Sequence, residues 1–217
     1  MFRSILNQGV KELGLAISTG DIATLEIFAG ELLKWNRKIN LTSVLAIDEI
    51  AIKHFLDSLV LAEQISSAAS LLDIGSGAGI PAIPVKIFKP SLNVVSVDAV
   101  EKKILFQRHA ARLLNLEGFE AIHVRVENLH KQYARSFNII TSRAFSSLER
   151  FVEIVHPLLA VDGRIIAMKG PAGAEEIKVS ESAIHKFGYE VLSQYDYCLP
   201  FAMGKRSLIS IVPVKGQ

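Results

Sequence analysis

A glycine-rich turn after a short apolar segment is the part of this sequence best suited to holding a ligand. Residues 71–74 have the pattern of a buried strand, and Gly75, Gly77 and Gly79 follow it. Glycine allows positive φ and lets the backbone approach a ligand closely, which a Cβ would prevent. A strand that ends in such a turn and is followed by a helix forms a nucleotide-binding crevice. The sequence therefore predicts a nucleotide site at this turn.

The glycine spacing and an acidic neighbour distinguish between two kinds of nucleotide. The dinucleotide fingerprint G-x-G-x-x-G would place its third glycine at position 80, where this chain has Ile80. The spacing here is G-x-G-x-G, and Asp73 lies just ahead of the turn. A carboxylate at this position is unfavourable beside a pyrophosphate, but it suits a ligand with a cationic amino group, such as the methionine half of S-adenosylmethionine. The pattern therefore favours a methyl donor over NAD.

Acidic residues also end the next two predicted strands. Asp98 follows the glycine turn by about 20 residues, where a carboxylate can accept both ribose hydroxyls of either ligand. Its alternative role is that of an N-cap for the next helix. Val126 and Glu127 end the third predicted strand, beside the expected adenine, although Glu127 could equally be a solvated surface charge.

Basic residues gather at the same edge. Arg143 follows the fourth predicted strand, and burying an arginine without an anionic partner is costly, which favours a role in binding a cofactor carboxylate or an RNA phosphate. Taken singly, such residues are more often solvated on the surface. Taken together, a set of them could form a basic lip over the glycine turn that positions RNA phosphates. The set comprises Lys53, His54, Arg125, Arg143 and Lys169.

Several catalytic signatures are missing from the sequence. It contains no Cys/His cluster, no Ser-His-Asp order, no Walker lysine and no Asn-Pro-Pro-Tyr motif after the fourth predicted strand. Methyl transfer to a carbon or a hydroxyl would need a cysteine nucleophile or a base. Guanine N7 has a lone pair at neutral pH, so positioning and exclusion of water can supply most of the catalysis.

The elements that must position these residues alternate along the chain from residue 71. Strands are predicted at 71–74, 93–98, 121–126, 137–142, 164–169, 189–195 and 207–212, and helices at 81–88, 102–115, 148–159 and 174–187. This alternation predicts an α/β fold with a doubly wound, mostly parallel seven-stranded sheet. The last two strands are joined by the loop 198–206 without a helix, so we expect an antiparallel C-terminal hairpin, which is habitual in methyltransferase folds.

The segment before the sheet has helical periodicity. Apolar residues recur at intervals of three and four over 22–39, and again over 48–59. We therefore expect residues 1–67 to form a helical N-terminal segment that packs on the core, and residues 68–217 to form the methyltransferase domain.

Composition limits the remaining possibilities. The chain has 217 residues, of which 50% are hydrophobic, and 24 Lys and Arg against 22 Asp and Glu, so any nucleic-acid surface must be local. The single cysteine, Cys198, rules out an internal disulfide framework and a multi-cysteine metal site. No stretch is apolar and long enough to span a bilayer. We expect a soluble cytoplasmic protein, a monomer, with no metal and no membrane partner.

Several stretches closely resemble the glucose-inhibited division protein B family of bacterial 16S rRNA guanine-N7 methyltransferases. They are KWNRKINLTSV (34–44), KHFLDSL (53–59), LLDIGSGAGIPAIPVKI (71–87), VRVENL (124–129), FNIITSRAFSSL (137–148) and MKG (168–170). The resemblance implies a class I methyltransferase fold, S-adenosylmethionine as cofactor, and transfer of a methyl group to guanine N7 in 16S rRNA, either free or in a small-subunit particle.

The resemblance also assigns roles to residues. Family contacts to the cofactor fall on Gly75, Ile80, Val126, Glu127 and Arg143, to which the analysis above adds Asp73, Gly77, Gly79 and Asp98. Positions that shape the mouth of the site and meet RNA match Asn40, His54, Arg125, Arg143 and Lys169, and Lys53 joins them from the basic lip. Of these, we expect Arg143, Lys169 and His54 to be catalytic.

Three positions depart from the family pattern. Ala82 stands where glycine is usual, Ala99 where serine is usual, and Asn138 where aspartate is usual.

Three other functions stay open. The alternatives are a methyltransferase acting on a small molecule or a protein, an NAD-dependent oxidoreductase, and a non-catalytic RNA-binding module.

Overall fold

A computed structural model describes residues 1–66, 69–143, 145 and 147–214. In this part of the chain seven strands form one sheet in the order β3-β2-β1-β4-β5-β7-β6. The strands are β1 (Ser70–Ile74), β2 (Asn93–Asp98), β3 (Phe119–His123), β4 (Phe137–Ser142), β5 (Leu159–Lys169), β6 (Tyr189–Cys198) and β7 (Lys205–Pro213).

Strands β1 to β5 pair in parallel, whereas β7 lies between β5 and β6 and is antiparallel to both. The reversal follows from the connection between β6 and β7, which has no helix to carry the chain back to the other end of the sheet. This arrangement confirms the predicted mostly parallel sheet with an antiparallel C-terminal hairpin.

The helices lie before the sheet and between its strands. They are α1 (Phe2–Glu12), α2 (Thr19–Asn36), α3 (Ile47–Ile50), α4 (Asp57–Glu63), α5 (Ala82–Phe88), α6 (Glu101–Leu113), α7 (His130–Tyr133), α8 (Leu148–Val155) and α9 (Gly173–Lys186). A π-helical segment, Ala51–Leu56, joins α3 to α4, so these three elements form one continuous helical rod. The predicted helical N-terminal segment is therefore present.

The N-terminal helices share a hydrophobic core with α6, a helix that follows strand β2. Phe28 of α2 stacks on Phe55 with ring centroids 5.6 Å apart and on Phe106 of α6 at 6.0 Å. All three rings are fully buried. The predicted domain boundary between residues 67 and 68 lies outside the described residues, and the division into two parts stays a prediction.

Several predicted elements have different bounds in the structure, and two of the differences have a clear physical cause. The strand predicted at 121–126 is β3 at Phe119–His123, because its partner β2 ends at Asp98, which pairs with His123. Val126 and Glu127 instead begin a short 3-10 turn. The helix predicted to run to residue 159 ends at Val155 and passes into a 3-10 turn, His156–Leu158, because Pro157 has no N–H with which to continue the α-helical hydrogen bonds.

Among the described residues, none of the helices combines the length and apolarity needed to cross a membrane.

The aromatic stack predicts a large effect on stability. Phe28→Ala removes the ring between Phe55 and Phe106, and we expect the free energy of unfolding to fall by about 3–5 kcal/mol in urea titrations. Ile27→Ala is the control, because Ile27 is on the same helix but 52% exposed, and it should change stability by less than about 0.5 kcal/mol. Equal losses in both variants would show that the stack does not join the helices to the sheet.

Candidate active site

The glycine turn after β1 has the backbone conformation that its sequence predicts. Gly75, Gly77 and Gly79 have φ values of 66°, 59° and 76°. A Cβ on Gly79 would lie 2.6 Å from Ile83 Cδ1, so this glycine is needed for packing as well as for its φ. A Cβ on Gly77 would meet nothing within 4 Å. The turn therefore borders open space in which a ligand can approach the backbone.

Two cavities meet at Gly75 on the carboxyl edge of the sheet. The first, of about 290 Å³, is bounded by the ends of β1 and β2, by residues 124–127 and by Phe145. The second, of about 160 Å³, lies on the other side of the turn and is lined by His54, Ile80 and Arg143 among others. We call them the strand-end cavity and the turn cavity. Gly75 lines both cavities, so a ligand that passes over the turn at this residue would contact both.

Asp98 connects the end of β2 to the glycine turn and lines the strand-end cavity. Its Oδ2 accepts the N–H of Gly77 at 2.9 Å, and its Oδ1 accepts the N–H of Val100 at 2.9 Å. The N-cap residue of α6 is Val100, so Asp98 is not the N-cap of that helix. Each carboxylate oxygen has a second lone pair that these bonds do not use, although Oδ2 also lies 3.8 Å from the Lys103 ammonium.

Asp73 is fully buried beneath the turn. Its Oδ2 accepts the N–H of Ala82 at 3.2 Å, whereas its Oδ1 has no hydrogen-bond partner. Burial raises the pKa of Asp73 to about 8, against the opposing effect of the Arg143 charge. A ligand ammonium group brought to Oδ1 would favour the ionised carboxylate, so this acid fits a cationic ligand whose binding displaces the proton.

Gln107 of α6 supports the turn from below, and the sequence analysis missed it. Its side-chain N–H groups donate to Ser76 Oγ at 2.8 Å and to the Gly77 carbonyl at 2.9 Å, and its Oε1 accepts from Ser96 Oγ at 2.6 Å. The available signal was a polar residue three positions from Ile104 and from Ala110, on the buried face of an amphipathic helix.

His54 lies on the wall of the turn cavity. Its Nε2 is 2.9 Å from Thr42 Oγ1, and its Nδ1 is buried without a hydrogen-bond partner. Burial, together with the nearby charge of Arg143, lowers the pKa of His54 to about 4. The imidazole is therefore neutral at pH 7.

Arg143 faces the same cavity and has an anionic partner that the sequence analysis did not assign to it. Its Nη1 lies 3.8 Å from Oδ2 of the buried Asp57 and has no hydrogen-bond partner. Its Nη2 donates to the Lys53 carbonyl at 3.4 Å. The guanidinium is thus held in place while one of its nitrogens stays available.

The structure brings together only part of the predicted basic lip. Arg125 is exposed at the strand-end cavity, with Val126 and Glu127 beside it. Lys169 is only 10% exposed, pairs with Glu176 at 2.6 Å and donates to the Phe145 carbonyl.

The other predicted residues lie farther out. Lys53 pairs with Glu49 at 3.1 Å, and Asn40 is exposed just before Leu41, which lines the turn cavity. Asn138 accepts the N–H of Ser70 near the starts of β1 and β4, away from the carboxyl edge.

Residues 21–200 match the model of a protein family that is described as GidB, rRNA small subunit methyltransferase G. A protein of Geobacter sp. (strain M21) named Ribosomal RNA small subunit methyltransferase G is 49% identical over 209 residues, covering 96% of both chains. The protein of the same name from Geobacter sulfurreducens is 50% identical over 207 residues, covering 95% of both.

Solved structures that resemble the fold are far more distant in sequence. M. jannaschii TYW2 in complex with AdoMet has a TM-score of 0.61 at 12% identity, with coverage of 82% of this chain and 80% of the other. P. horikoshii TYW2 in complex with MeSAdo has a TM-score of 0.60 at 12% identity, with coverage of 75% and 63%. At this identity the likeness shows a shared fold.

The raised pKa of Asp73 predicts a dependence of stability on pH. Folding places this acid where it keeps its proton up to about pH 8, whereas in the unfolded chain it ionises near its usual 3.8. The unfolded state therefore binds fewer protons between these values, and stability should fall as pH rises through that window.

Urea unfolding of the wild type and of Asp73→Asn at about pH 5 and about pH 8 checks this expectation. The change in the free energy of unfolding between the two pH values includes the titration of His54 in both proteins. The difference between the proteins in this change is therefore due to Asp73. We expect a weaker loss of stability toward pH 8 in Asp73→Asn, and no such change in the control Asp162→Asn, which alters an exposed residue. Identical pH dependence in all three proteins would rule out the buried, protonated state of Asp73.

Proposed function

Because this chain belongs to the GidB family of rRNA small subunit methyltransferases, we propose that it transfers a methyl group from S-adenosylmethionine to N7 of a guanine in 16S rRNA. The observation that supports it best is the pair of cavities joined at Gly75, with Asp98 beside one and Arg143 in the other. We further propose that it acts as a monomer in the cytoplasm, on free 16S rRNA or on a small-subunit particle.

The residues around the glycine turn fit this cofactor in charge and in shape. When bound, S-adenosylmethionine supplies an electrophilic methyl group on a sulfonium centre. Asp98, Val126 and Glu127 line the strand-end cavity, and we propose that Asp98 accepts the ribose hydroxyls while Val126 and Glu127 flank the adenine. We propose that Asp73 ionises when the ligand binds and that its Oδ1, which has no partner in the free protein, accepts the amino group. A Cβ on Gly77 would meet no atom within 4 Å, so a ligand can approach the backbone at this residue.

The turn cavity suits an acceptor that needs no general base. Guanine N7 carries a free lone pair at neutral pH, so the chain has to hold the base and exclude water. Neutral His54 adds no second positive charge beside Arg143. We propose that His54 and Arg143 form the wall against which the acceptor is positioned, and that Arg143 binds the cofactor carboxylate or an RNA phosphate.

The proposed RNA contacts lie around the mouth of these cavities. Arg125 and Asn40 are exposed there, and Lys53 lies one residue before His54, with its ammonium paired to Glu49. For Lys169 we propose a positioning role, because its ammonium already bridges Glu176 and the Phe145 carbonyl at the edge of the strand-end cavity. RNA phosphates bound at this surface would fix the register of the substrate.

The experiment that tests the proposed function maps N7-methylated guanines in 16S rRNA from cells with and without this gene. We expect one guanine to lose its methyl group in the deletion strain and to regain it on complementation with the wild type. Complementation with Arg143→Ala should restore less than about 1% of the methylation rate, since the charge that binds the cofactor carboxylate or an RNA phosphate is lost. Arg150→Ala, which alters an exposed arginine paired to Glu153, is the matched control and should restore it fully.

Two results would contradict the proposal. Identical N7-methylation of 16S rRNA in the deletion strain and its parent would remove the proposed substrate. Full restoration by Arg143→Ala would remove Arg143 from the site while leaving the substrate in place.

A further inference from the structure

A tyrosine of the C-terminal hairpin reaches the carboxylate that faces Arg143. Tyr197, on β6, donates its hydroxyl to Asp57 Oδ1 at 2.5 Å. Asp57 begins α4 and is 2% exposed, and its other oxygen, Oδ2, lies 3.8 Å from Arg143 Nη1. The edge hairpin, the N-terminal helices and the end of β4 therefore meet at one buried carboxylate.

We propose that Asp57 and Tyr197 are positioning residues for Arg143: Tyr197 orients the Asp57 carboxylate so that it neutralises the guanidinium without using up its Nη1 donors. This role rests on the proposed function for its kinetic consequences, since Arg143 is the residue assigned there to the cofactor carboxylate or to RNA phosphate.

The distance between the Asp57 carboxylate and the Arg143 guanidinium supports these roles. At 3.8 Å the two atoms attract as charges, but they are too far apart for a hydrogen bond. Arg143 Nη1 accordingly has no hydrogen-bond partner although it is buried. A buried donor left unpaired is costly in the free protein, and a bound anionic group would satisfy it.

Tyr197 is suited to act as a permanent donor. Burial, reinforced by the neighbouring charge of Asp57, raises the pKa of Tyr197 far above its usual range, and the charges of Arg143 and Arg206 oppose this only in part. The hydroxyl thus stays protonated and holds Oδ1. Without that hydrogen bond the carboxylate is free to turn toward Arg143 and form the bidentate pair that carboxylate and guanidinium prefer. Such a pair would consume the free donor.

A purely structural role for Tyr197 makes a different prediction. If the residue only anchored β6 against α4, its loss would weaken the fold and affect activity equally whether or not Arg143 were intact. A positioning role requires the effect to depend on Arg143. A double-mutant cycle measures this dependence directly.

The cycle compares the wild type, Tyr197→Phe, Arg143→Lys and the double variant. Two quantities are measured for each: the Kd for S-adenosylhomocysteine by calorimetry, and kcat and KM for methyl transfer to 16S rRNA. We expect Tyr197→Phe to weaken one of these by at least about fivefold in the wild type, and by less than about twofold once Arg143 is replaced. A shift in Kd would indicate that Arg143 meets the cofactor carboxylate, and a shift in the RNA KM that it meets phosphate.

Tyr195→Phe is the matched control. Tyr195 lies on the same strand, stacks on Tyr197 with ring centroids 5.8 Å apart and is 48% exposed. It should leave both quantities unchanged within about twofold. Effects of Tyr197→Phe that are the same in both Arg143 backgrounds, for Kd and for kinetics alike, would overturn the positioning role, as would an equal effect of Tyr195→Phe.

Two further measurements test the proposal if a variant does not fold or if the wild type has no methyltransferase activity. If Tyr197→Phe fails to fold, Asp57→Asn, which preserves the shape of the side chain, replaces it in the same cycle under the same criteria. If the wild type transfers no methyl group, the proposed function fails, but the crystal structure of ligand-free Tyr197→Phe still tests the positioning. The Asp57 carboxylate should then lie within hydrogen-bond distance of Arg143, and an unmoved carboxylate would overturn the proposal.

Discussion

The hydrogen bond from the Gly77 N–H to the Asp98 carboxylate is the contact on which the site depends. It fixes the glycine turn after β1 to the end of the neighbouring strand β2, at the edge where parallel strands deliver their last residues. Gly75 of this turn lines both cavities, and the N–H and Oγ of Ser76 also donate to the Val97 carbonyl of β2. Gln107 reinforces the turn from below through Ser76 and the Gly77 carbonyl.

Charge is distributed unevenly around this turn. Asp73 is buried with one unpaired oxygen and a raised pKa, and Arg143 keeps one nitrogen unpaired beside Asp57. His54, which lines the turn cavity with Arg143, stays neutral. Unpaired buried groups destabilise the free protein, so a ligand whose ammonium displaces the Asp73 proton and whose carboxylate meets Arg143 would satisfy both. The groups that destabilise the free protein therefore lie where S-adenosylmethionine is proposed to bind.

The features that followed from sequence are those set by local patterns. The glycine turn, Asp73 and Asp98 are tied to strand ends by short-range spacing, and the parallel sheet with its final hairpin follows from the alternation of elements. The Asp57–Tyr197 contact joins residues 140 positions apart and has no local signature. Lys169 lies at a strand end as predicted, but its pairing with Glu176 depends on how α9 packs against the sheet, which the pattern of residues does not specify.

The proposed cofactor site is tested most directly by a crystal structure of the protein with S-adenosylhomocysteine. It predicts electron density beside the glycine turn that passes from the strand-end cavity into the turn cavity, with ribose hydroxyls on the Asp98 carboxylate and the amino group near Asp73 Oδ1. Density at another surface, or none at a ligand concentration that saturates binding in solution, would contradict it.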